Sequence, residues 1–408
     1  MPDLMIRILE VSNQKDLDKI MREIQVDPYG IRIMAPKGIM YLARVSPVTA
    51  IAANILKQEM LSLGGDVAIA RGALTGRVKK TDCLLMGNLS QLGRLCLKLN
   101  RQPFGLALLG QELSATLENY QKDNFVLDAG RYTLRLKRRA HLMGIVNMTP
   151  DSFSGDGLYQ SAARGARPAV EGVIAHVEQM VRDGADIIDI GGESSRPGAR
   201  PVKAREEINR TAPLIRELAK RIKVPISIDT CKPQVAEAAL DSGASMVNDI
   251  TGLRNGRMLK AAARHRAAVV IMHMKGSPRT MQKNPVYGSL MNEILGFLAQ
   301  GVLRASQAGI KRNSIIVDPG IGFGKTKEHN LKILKHLQEL RSLGQPLLVG
   351  LSRKSFIGKV LNVEAQGRLA GTISACVLSV KNGAHIVRVH DVLAVKQALQ
   401  VLDAVAGS

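Results

Sequence analysis

The sequence predicts an α/β protein, a (β/α)8 TIM-type barrel preceded by a smaller N-terminal α/β or α+β domain. Eight short runs rich in Val and Ile alternate with segments of helical periodicity over about 268 residues, from His141 to the C-terminus. Polar residues recur at or just after the carboxyl ends of these runs, where barrels of this kind place their chemistry. An open, doubly wound sheet is the structural alternative, and the count of eight favours the barrel.

The predicted strands share a short length and many β-branched side chains, as expected of strands that are covered on both faces. They are residues 141–147, 185–190, 224–229, 245–250, 268–273, 314–318, 346–350 and 384–390. The segments between them carry helical stripes, such as the one formed by Val170, Val173, Ile174, Val177 and Val181. We therefore assign residues 137–408 to the barrel.

Residues 1–136 do not follow this repeated strand–helix pattern and are expected to form a separate domain of unknown role. The pattern predicts a helix over 46–63 with Pro47 in its first turn, strands over 66–70 and 83–86, a helix over 89–99 and a strand over 104–109. The basic stretch 131–139 is typical of a domain boundary. Because every strand-end motif follows it, we expect a chain that begins near Lys137 to keep the activity of the barrel.

The chain is strongly basic, with 57 Lys and Arg against 35 Asp and Glu, a formal net charge of +22. Such a surplus suggests an anionic partner: nucleic acid, a membrane surface or a phosphorylated small molecule. The surplus is dispersed, aromatic residues make up 3% and Trp is absent, so a nucleic-acid-binding protein is disfavoured. A basic enzyme surface is the simpler interpretation.

The lack of a visible targeting signal and the pattern of the cysteines predict a cytoplasmic protein. No stretch approaches the ~18 apolar residues of a membrane helix, and no secretory signal is visible at the N-terminus. The four cysteines are scattered without a C-x-x-C pair, which is typical of reduced thiols and disfavours a structural zinc site.

Two loops after predicted strands carry groups suited to ligand binding. Asn147 ends the first strand, and its amide could ligate a hard cation or an oxyanion, although an isolated Asn is more often a turn former. The second loop, Gly191-Gly-Glu-Ser-Ser-Arg-Pro-Gly198, offers two hydroxyls and the anion-binding side chain of Arg196. A purely structural loop is the alternative there.

Two motifs near the C-terminus indicate an anion site. Leu351-Ser-Arg-Lys-Ser-Phe356 brings two hydroxyls and two cations to a predicted helix N-terminus. Arg388 and His390 end the last strand, and alternation puts both on one face. We therefore predict a phosphate site near strands seven and eight.

Carboxylates end two further strands. Asp229 and Asp318 close strands three and six, and Asn248 lies near the end of strand four. Buried charges are costly unless they are partnered, so these groups could accept donors from a ligand with an amidine-like edge. A salt bridge to a neighbouring Arg or Lys is the alternative.

The segment from Asp318 to Thr326 looks at first like a phosphate-binding P-loop. The segment does not match the P-loop template, because Pro319 occupies the position at which the template requires its first glycine. The glycines instead allow a tight loop that offers Phe323 as a flat apolar face and Lys325 as a charge.

Taken in order, these motifs strongly resemble the dihydropteroate synthase family. The matching segments are Gly144-Ile-Val-Asn-Met-Thr-Pro-Asp-Ser-Phe-Ser154, Asp189-Ile-Gly-Gly-Glu-Ser-Ser-Arg-Pro-Gly198, Ser227-Ile-Asp-Thr230, Val247-Asn-Asp-Ile250, Met272-His-Met274, Asp318-Pro-Gly-Ile-Gly-Phe-Gly-Lys325, Gly350-Leu-Ser-Arg-Lys-Ser355 and Arg388-Val-His390. The resemblance covers every predicted strand end and leaves residues 1–140 unexplained.

The resemblance implies an enzyme of folate synthesis, a homodimer through the barrel and dependent on Mg²⁺. The family joins 6-hydroxymethyl-7,8-dihydropterin diphosphate to 4-aminobenzoate and releases diphosphate. By position, the implied pterin-binding residues are Asp229, Asn248, Ile250, Asp318, Gly350 and Lys354. The implied aminobenzoate-binding residues are Ser195, Arg196, Pro197, Phe323 and Ser355. The implied diphosphate-binding residues are Asn147, Ser195, Arg388 and His390, with Asn147 also a metal ligand and Lys354, Arg388 and His390 catalytic.

Two departures from the family pattern affect only the details of loop closure. Ser195 stands where the family often has Thr, and Asp156 is displaced by one position. A pterin-binding methyltransferase domain that serves a corrinoid is the rival within the fold. It shares the pterin carboxylates but does not need the diphosphate cations, so Lys354, Arg388 and His390 argue against it.

Overall fold

The computed structural model describes residues 5–11, 13–137, 139–149, 167–194, 201–277 and 280–407. The chain divides into two compact units, Met1–Glu118 and Asn119–Ser408. In the described parts of the chain, no helix is long and apolar enough to cross a membrane.

The N-terminal unit is built on a three-stranded antiparallel sheet in the order β1-β3-β2. Its elements are α1 (Gln14–Glu23), α2 (Pro28–Met34), β1 (Met40–Thr49), α3 (Ala50–Leu61), β2 (Asp66–Ile69), α4 (Arg71–Leu74), β3 (Lys80–Asn88), α5 (Leu89–Leu99) and the start of α6 (Leu106–Gln121). Leu56 and Met60 of α3 pack with Leu85 of β3 and with Leu92 and Leu95 of α5 in one core. The unit is therefore an α+β fold, as predicted.

Two elements of this unit differ from the prediction. The predicted helix over 46–63 was wrong at its start, because β1 continues to Thr49 and the helix begins at Ala50. Thr49 caps that helix, since its hydroxyl accepts from the Ala52 amide at 3.2 Å. Pro47 is tolerated in β1 because this is an edge strand with a register shift between Val45 and Val48. The predicted strand over 104–109 was also wrong, since α6 begins there.

The second unit is a parallel eight-stranded barrel, which confirms the predicted fold class. Its elements are β4 (Phe125–Ala129), β5 (Tyr132–Leu136), β6 (His141–Asn147), α7 (Arg167–Arg182), β7 (Ile187–Gly191), α8 (Ala204–Arg221), β8 (Ile226–Asp229), α9 (Pro233–Asp241), β9 (Met246–Asp249), α10 (Gly256–Arg264), β10 (Ala268–Met272), α11 (Leu290–Gln307), β11 (Ile315–Asp318), α12 (Lys327–Lys335), β12 (Leu348–Gly350), α13 (Ser355–Leu361), α14 (Leu369–Lys381), β13 (Ile386–Val389) and α15 (Val392–Gly407).

The barrel closes where β11 and β12, the first and last strands in the order of the sheet, meet. The sheet order is β11-β10-β9-β8-β7-β6-β13-β12, and a parallel bridge joins Val317 to Leu347. The Val317 amide donates to the Pro346 carbonyl at 3.0 Å across this seam. The carboxyl ends of all eight strands therefore meet at one rim.

A β-hairpin closes the opposite end of the barrel. Strands β4 and β5 pair antiparallel, and Phe125, Leu127 and Leu136 are buried against side chains from the amino ends of the barrel strands. Those side chains are Met143, Ile187, Met246, Ala268, Val270, Ile316, Leu348 and Ile386. The structure thus divides the chain at Glu118, whereas the sequence boundary was drawn between 136 and 137, because the hairpin shares the apolar core of the barrel.

Candidate active site

Arg388 lies at the centre of a buried ionic cluster at the carboxyl rim. Its Nε donates to Asp189 Oδ2 at 2.5 Å and its Nη2 donates to Asp229 Oδ2 at 2.7 Å. Asn248 Nδ2 donates to the same oxygen of Asp189 at 3.1 Å. Strands β7, β8, β9 and β13 each supply one of these side chains because their carboxyl ends converge. The salt bridge that we considered for Asp229 is therefore present.

Burial sets the protonation of this cluster. Desolvation raises the pKa of Asp229, and the neighbouring carboxylate of Asp189 adds to the rise while Arg388 opposes it. Burial alone would lower the pKa of the Arg388 guanidinium. Its two carboxylate partners, Asp189 and Asp229, outweigh that effect and raise the pKa. Arg388 is therefore a permanent cation, and Asp229 is a carboxyl that changes charge at a higher pH than an exposed one.

Lys354 and Asp318 are oppositely charged side chains that influence each other electrostatically on the adjacent part of the rim. Burial is the main cause that lowers the pKa of Lys354 to about 8, while the charge of Asp318 works in the opposite direction. Burial raises the pKa of Asp318, whose Oδ1 accepts from the Gly320 amide at 2.6 Å. The ammonium of Lys354 donates to the Ile321 carbonyl and lies 4.9 Å from the centre of the Phe323 ring.

His390 and Asn147 lie next to each other at the ends of neighbouring strands. Asn147 Nδ2 is 3.5 Å from His390 Nε2. The other ring nitrogen, Nδ1, is 2.9 Å from the hydroxyl of the buried Ser352. The contact with Ser352 thus fixes the orientation of the imidazole, so that Nε2 of His390 lies beside the side-chain amide of Asn147.

Residues 319–326 form a tight loop because their backbone passes against the loop that follows β10. A Cβ atom on Gly320 would lie 2.0 Å from the His273 carbonyl oxygen, and one on Gly324 would lie 2.5 Å from the Lys275 carbonyl oxygen. Both glycines also have positive φ angles, +66° and +64°. The glycines of this segment therefore allow close packing of two rim loops.

An apolar cluster rich in methionine lies beside the charged groups. Its buried members are Ile250, Met272, Met274 and Met281, with Cys231 and Phe323 packed against them. Gly350 leaves room nearby, since a Cβ there would be 3.7 Å from the Lys354 ammonium and 3.9 Å from Arg388. Polarizable thioethers suit the face of a flat heteroaromatic ring. The combination of this cluster with buried carboxylates fits a planar ligand with polar edges.

The structure brings most of the predicted site residues to one rim. Ser355 lies at the same rim as the first residue of α13 and is exposed. Ser195, Arg196 and Pro197 lie outside the described residues. Asp156, the displaced residue of the first loop, lies outside them too.

Sequence reasoning assigned no role to Asp189 and did not predict the burial of Lys325, although both matter to the geometry of the site. Asp189 is fully buried, and its second oxygen, Oδ1, has no hydrogen-bond partner among the described residues. A carboxylate in an otherwise apolar strand was the signal that could have found it. Lys325 is 3% exposed, although the sequence offered it only as a possible charge.

Comparison with known proteins identifies this type of site. A family model described as "Pterin binding enzyme" matches residues 143–390. Eight parallel strands with buried carboxylates and cations at the carboxyl rim thus define a barrel of the pterin-binding class. The dihydropteroate synthase of Synechocystis sp. is 45% identical over 280 residues, which cover 68% of this chain and 94% of that protein. The chain belongs to the dihydropteroate synthase family.

A solved structure and a longer relative extend the comparison. The dihydropteroate synthase of Xanthomonas albilineans, solved with 4-aminobenzoic acid, matches with a TM-score of 0.64 and 41% identity, covering 70% of this chain and 99% of that one. A probable bifunctional folylpolyglutamate synthase/dihydropteroate synthase of Halobacterium salinarum is 36% identical over 399 residues, 97% of this chain and 46% of that protein. The N-terminal unit therefore has a counterpart in that relative.

Proposed function

We propose that this protein condenses 6-hydroxymethyl-7,8-dihydropterin diphosphate with 4-aminobenzoate to give 7,8-dihydropteroate and diphosphate. The observation that carries the proposal is the ionic cluster of Arg388, Asp189 and Asp229 beside the pair of Lys354 and Asp318. Carboxylates for an amidine-like ring edge and cations for a diphosphate thus occur at one barrel rim. The names of the relatives and family membership support the same reaction.

The pterin is held by groups that match its hydrogen-bonding edge. Asp229 and Asp318, when ionised, accept from the amino group and ring N–H of the pterin, and the amide of Asn248 can donate or accept. The apolar cluster around Ile250 covers one face of the ring, and Gly350 leaves space for it. Lys354 lies within the electrostatic reach of both carboxylates and donates to a pterin carbonyl or ring nitrogen.

The reaction breaks the bond between the pterin methylene and the diphosphate oxygen, and the bonding electrons leave with diphosphate. Arg388, as a fixed cation, and the imidazole of His390, as a hydrogen-bond donor, stabilise the charge that develops on this leaving group in the buried site. The carboxylates at the rim favour the cationic methylene that remains. The aniline nitrogen of 4-aminobenzoate then forms the new bond to that carbon and loses a proton. An aniline is nucleophilic when neutral, so no strong general base is required.

A magnesium ion fits the diphosphate side of this site. The described residues hold no cluster of three or more His, Cys, Asp or Glu suited to a metal. Mg²⁺ needs none here, because it keeps several waters and is commonly held by one or two protein oxygens and substrate phosphates. The side-chain oxygen of Asn147, beside His390, is the protein ligand in this proposal. When bound, the ion neutralises diphosphate charge.

The 4-aminobenzoate site is assigned to the part of the rim that carries Phe323 and Ser355. The resemblance to the family implies that Ser195, Arg196 and Pro197 also contribute to it. The Phe323 ring offers a flat face to the aryl ring of the substrate. The ammonium of Lys354 lies 4.9 Å from the centre of the Phe323 ring. Ser355 begins α13, where amide groups and a hydroxyl can receive the substrate carboxylate. We also propose that the enzyme is a homodimer through the barrel and works in the cytoplasm.

The test combines purified protein with the pterin diphosphate, 4-aminobenzoate and Mg²⁺. We expect dihydropteroate by mass spectrometry and one diphosphate released per product, with neither formed when 4-aminobenzoate is omitted. Methyl transfer from a methylated reduced folate to a corrinoid, without formation of dihydropteroate, would instead support the rival pterin-binding activity.

A further inference from the structure

Lys325 makes three contacts with the two rim loops although no step of the reaction uses it. Its ammonium lies 2.9 Å from His273 Nδ1, 3.3 Å from the His273 carbonyl oxygen and 2.9 Å from the Phe323 carbonyl oxygen. An ammonium has three donors and no acceptor, so all three can be satisfied here. The side chain is also almost fully buried. Lys325 therefore joins the loop after β10 to the loop after β11.

The protonation of His273 is compatible with this bridge. Burial, followed by the charge of Lys325, lowers the pKa of His273 to about 3, so the ring is neutral at physiological pH. Burial lowers the pKa of Lys325, and the charge of Asp318 opposes this effect. With Lys325 protonated, its amino group donates to both carbonyls and to Nδ1 of His273, so the ring proton lies on Nε2. The ring itself is fixed by an edge-to-face contact with Phe297, at 5.0 Å between ring centres. His273 is thus a rigid acceptor on the neighbouring strand end.

Other contacts hold this loop at different points. Tyr287 Oη donates to the Gly324 carbonyl at 2.7 Å, and the Gly322 amide donates to Asn330 Oδ1 at 2.8 Å. Lys325 differs from them because it binds the carbonyl of Phe323 itself. That contact sets the backbone from which the Phe323 ring projects toward Lys354.

We infer that Lys325 is a positioning residue for the aryl-amine substrate: by bridging His273 to the Phe323 carbonyl, it fixes the ring against which that substrate stacks. The inference rests on the proposed function, since it assigns a role within the 4-aminobenzoate side of the site. It places Lys325 outside the chemistry, because its ammonium is fully engaged with protein groups.

The test measures KM separately for the two substrates in Lys325→Met, which keeps most of the unbranched side chain but removes its donors. We expect the KM for 4-aminobenzoate to rise about tenfold or more, as for loss of a charge-assisted hydrogen bond, while the KM for the pterin diphosphate changes less than about twofold. The matched control is Lys327→Met, which removes an equal charge two residues away from a half-exposed side chain paired with Glu328. Its two KM values are expected to stay at those of the wild type.

Substitutions at His273 give a second, independent measurement if Lys325→Met does not fold. His273→Asn keeps an acceptor near the position of Nδ1 and is expected to preserve the aryl-amine KM, whereas His273→Leu raises it. In the double variant of Lys325→Met and His273→Leu, the KM for 4-aminobenzoate should rise by less than the two single effects combined. The reason is that both substitutions remove the same interaction.

The outcomes separate this inference from the proposed function. No product from the wild-type enzyme would refute the reaction itself. Normal wild-type turnover with equal changes in both KM values, or with a lower melting temperature alone, would show that Lys325 only stabilises the fold.

Discussion

The guanidinium Nε of Arg388 lies 2.5 Å from Oδ2 of Asp189, a carboxylate with no exposed surface. The same oxygen accepts from Asn248, so one buried atom orients a proposed diphosphate-binding residue and a proposed pterin-binding residue. Asp189 therefore couples the two halves of the site. Without its charge, Arg388 would be held by Asp229 alone.

The first prediction is that Asp189→Asn lowers kcat about 10-fold to 100-fold, since charge-assisted hydrogen bonds contribute about 1.5–3 kcal/mol. Steady-state kinetics at saturating substrates measures the effect. The matched control is Asp186→Asn, which removes a carboxylate paired with Arg139 just before β7. A drop in melting temperature in both variants without a difference in turnover would contradict the positioning role of Asp189.

The second prediction concerns the pterin carboxylates. Asn at position 229 or 318 keeps the shape of the side chain but sets a donor against the donors of the pterin, which costs about 1–3 kcal/mol or more. Calorimetry with a pterin ligand should therefore show weaker binding for both variants. Asp249→Asn is the control, because Asp249 accepts from the amides of Thr251 and Leu253 within its own turn and should affect stability only. Unchanged pterin affinity would leave Asp229 as the partner of Arg388 and Asp318 as the acceptor of the Gly320 amide, each with a structural role only.

The third prediction concerns the cation of Lys354. Removing a group that stabilises developing charge typically costs ~10²–10³ in rate, and we expect a loss of this size in Lys354→Ala. Arg388→Ala should give a similar loss for the same reason. Lys359→Ala changes an exposed lysine in helix α13, which begins just after Lys354, and should keep wild-type turnover. Unchanged turnover in both Lys354→Ala and Arg388→Ala would contradict the placement of the pterin at Lys354 and of the diphosphate at Arg388.

The fourth prediction is a bell-shaped pH profile of kcat/KM. Asp229 and Asp318 must be ionised to accept from the pterin, and burial raises the pKa of each, so activity falls with decreasing pH at values above the ordinary carboxyl pKa of ~4. Lys354 must be protonated, and burial lowers its pKa to about 8, so activity falls again as pH rises past that value.

Variants of Lys354 check the alkaline limb of this profile. In Lys354→Arg the cation persists at all accessible pH values, so the alkaline decline should move to higher pH, while the acid limb stays in place. A decline near pH 8 that persists in Lys354→Arg would assign that limb to another group.

The strand ends could be predicted from sequence because buried parallel strands are short β-branched runs. Asn147, Asp229 and Asp318 each close one of them, and Asn248 lies next to the last residue of another. Asp189 could not be assigned in the same way. It lies inside the run of β7 beside Asp186, and only the strand register decides which carboxylate meets Arg388. Contacts between distant segments, such as Lys325 with His273, leave no local pattern for sequence reasoning to find.

The structure divides the chain earlier than the sequence boundary for a related reason. The hairpin over 125–136 alternates apolar and polar residues as an ordinary surface hairpin does, but its apolar face is buried in the barrel. The segment just before it is also tied to the barrel. Asn119 donates to the Ser342 carbonyl at 3.2 Å, and Arg341 pairs with Asp123 at 2.6 Å.

The last prediction tests this boundary by truncation. A chain that begins at Asn119 keeps the hairpin and should be soluble and active, whereas one that begins at Lys137 loses Phe125, Leu127 and Leu136 from the amino end of the barrel. Each large buried side chain contributes about 1.5–3 kcal/mol, and a domain is stable by only about 5–15 kcal/mol. The shorter chain should therefore aggregate or unfold at a much lower temperature, measured by circular dichroism and light scattering. This revises the expectation from sequence that a chain beginning near Lys137 remains active.

A pair of point variants in the full-length chain separates loss of the hairpin core from loss of chain length. Leu127→Asp places a charge in that core and should lower the melting temperature strongly, because an unpaired buried carboxylate is costly. Val126→Asp makes the same change one residue earlier, at a side chain that is 48% exposed, and should leave the melting temperature nearly unchanged. Equal effects of the two variants, together with a soluble and active chain from Lys137, would show that the barrel holds its own amino end closed and that the boundary lies after the hairpin.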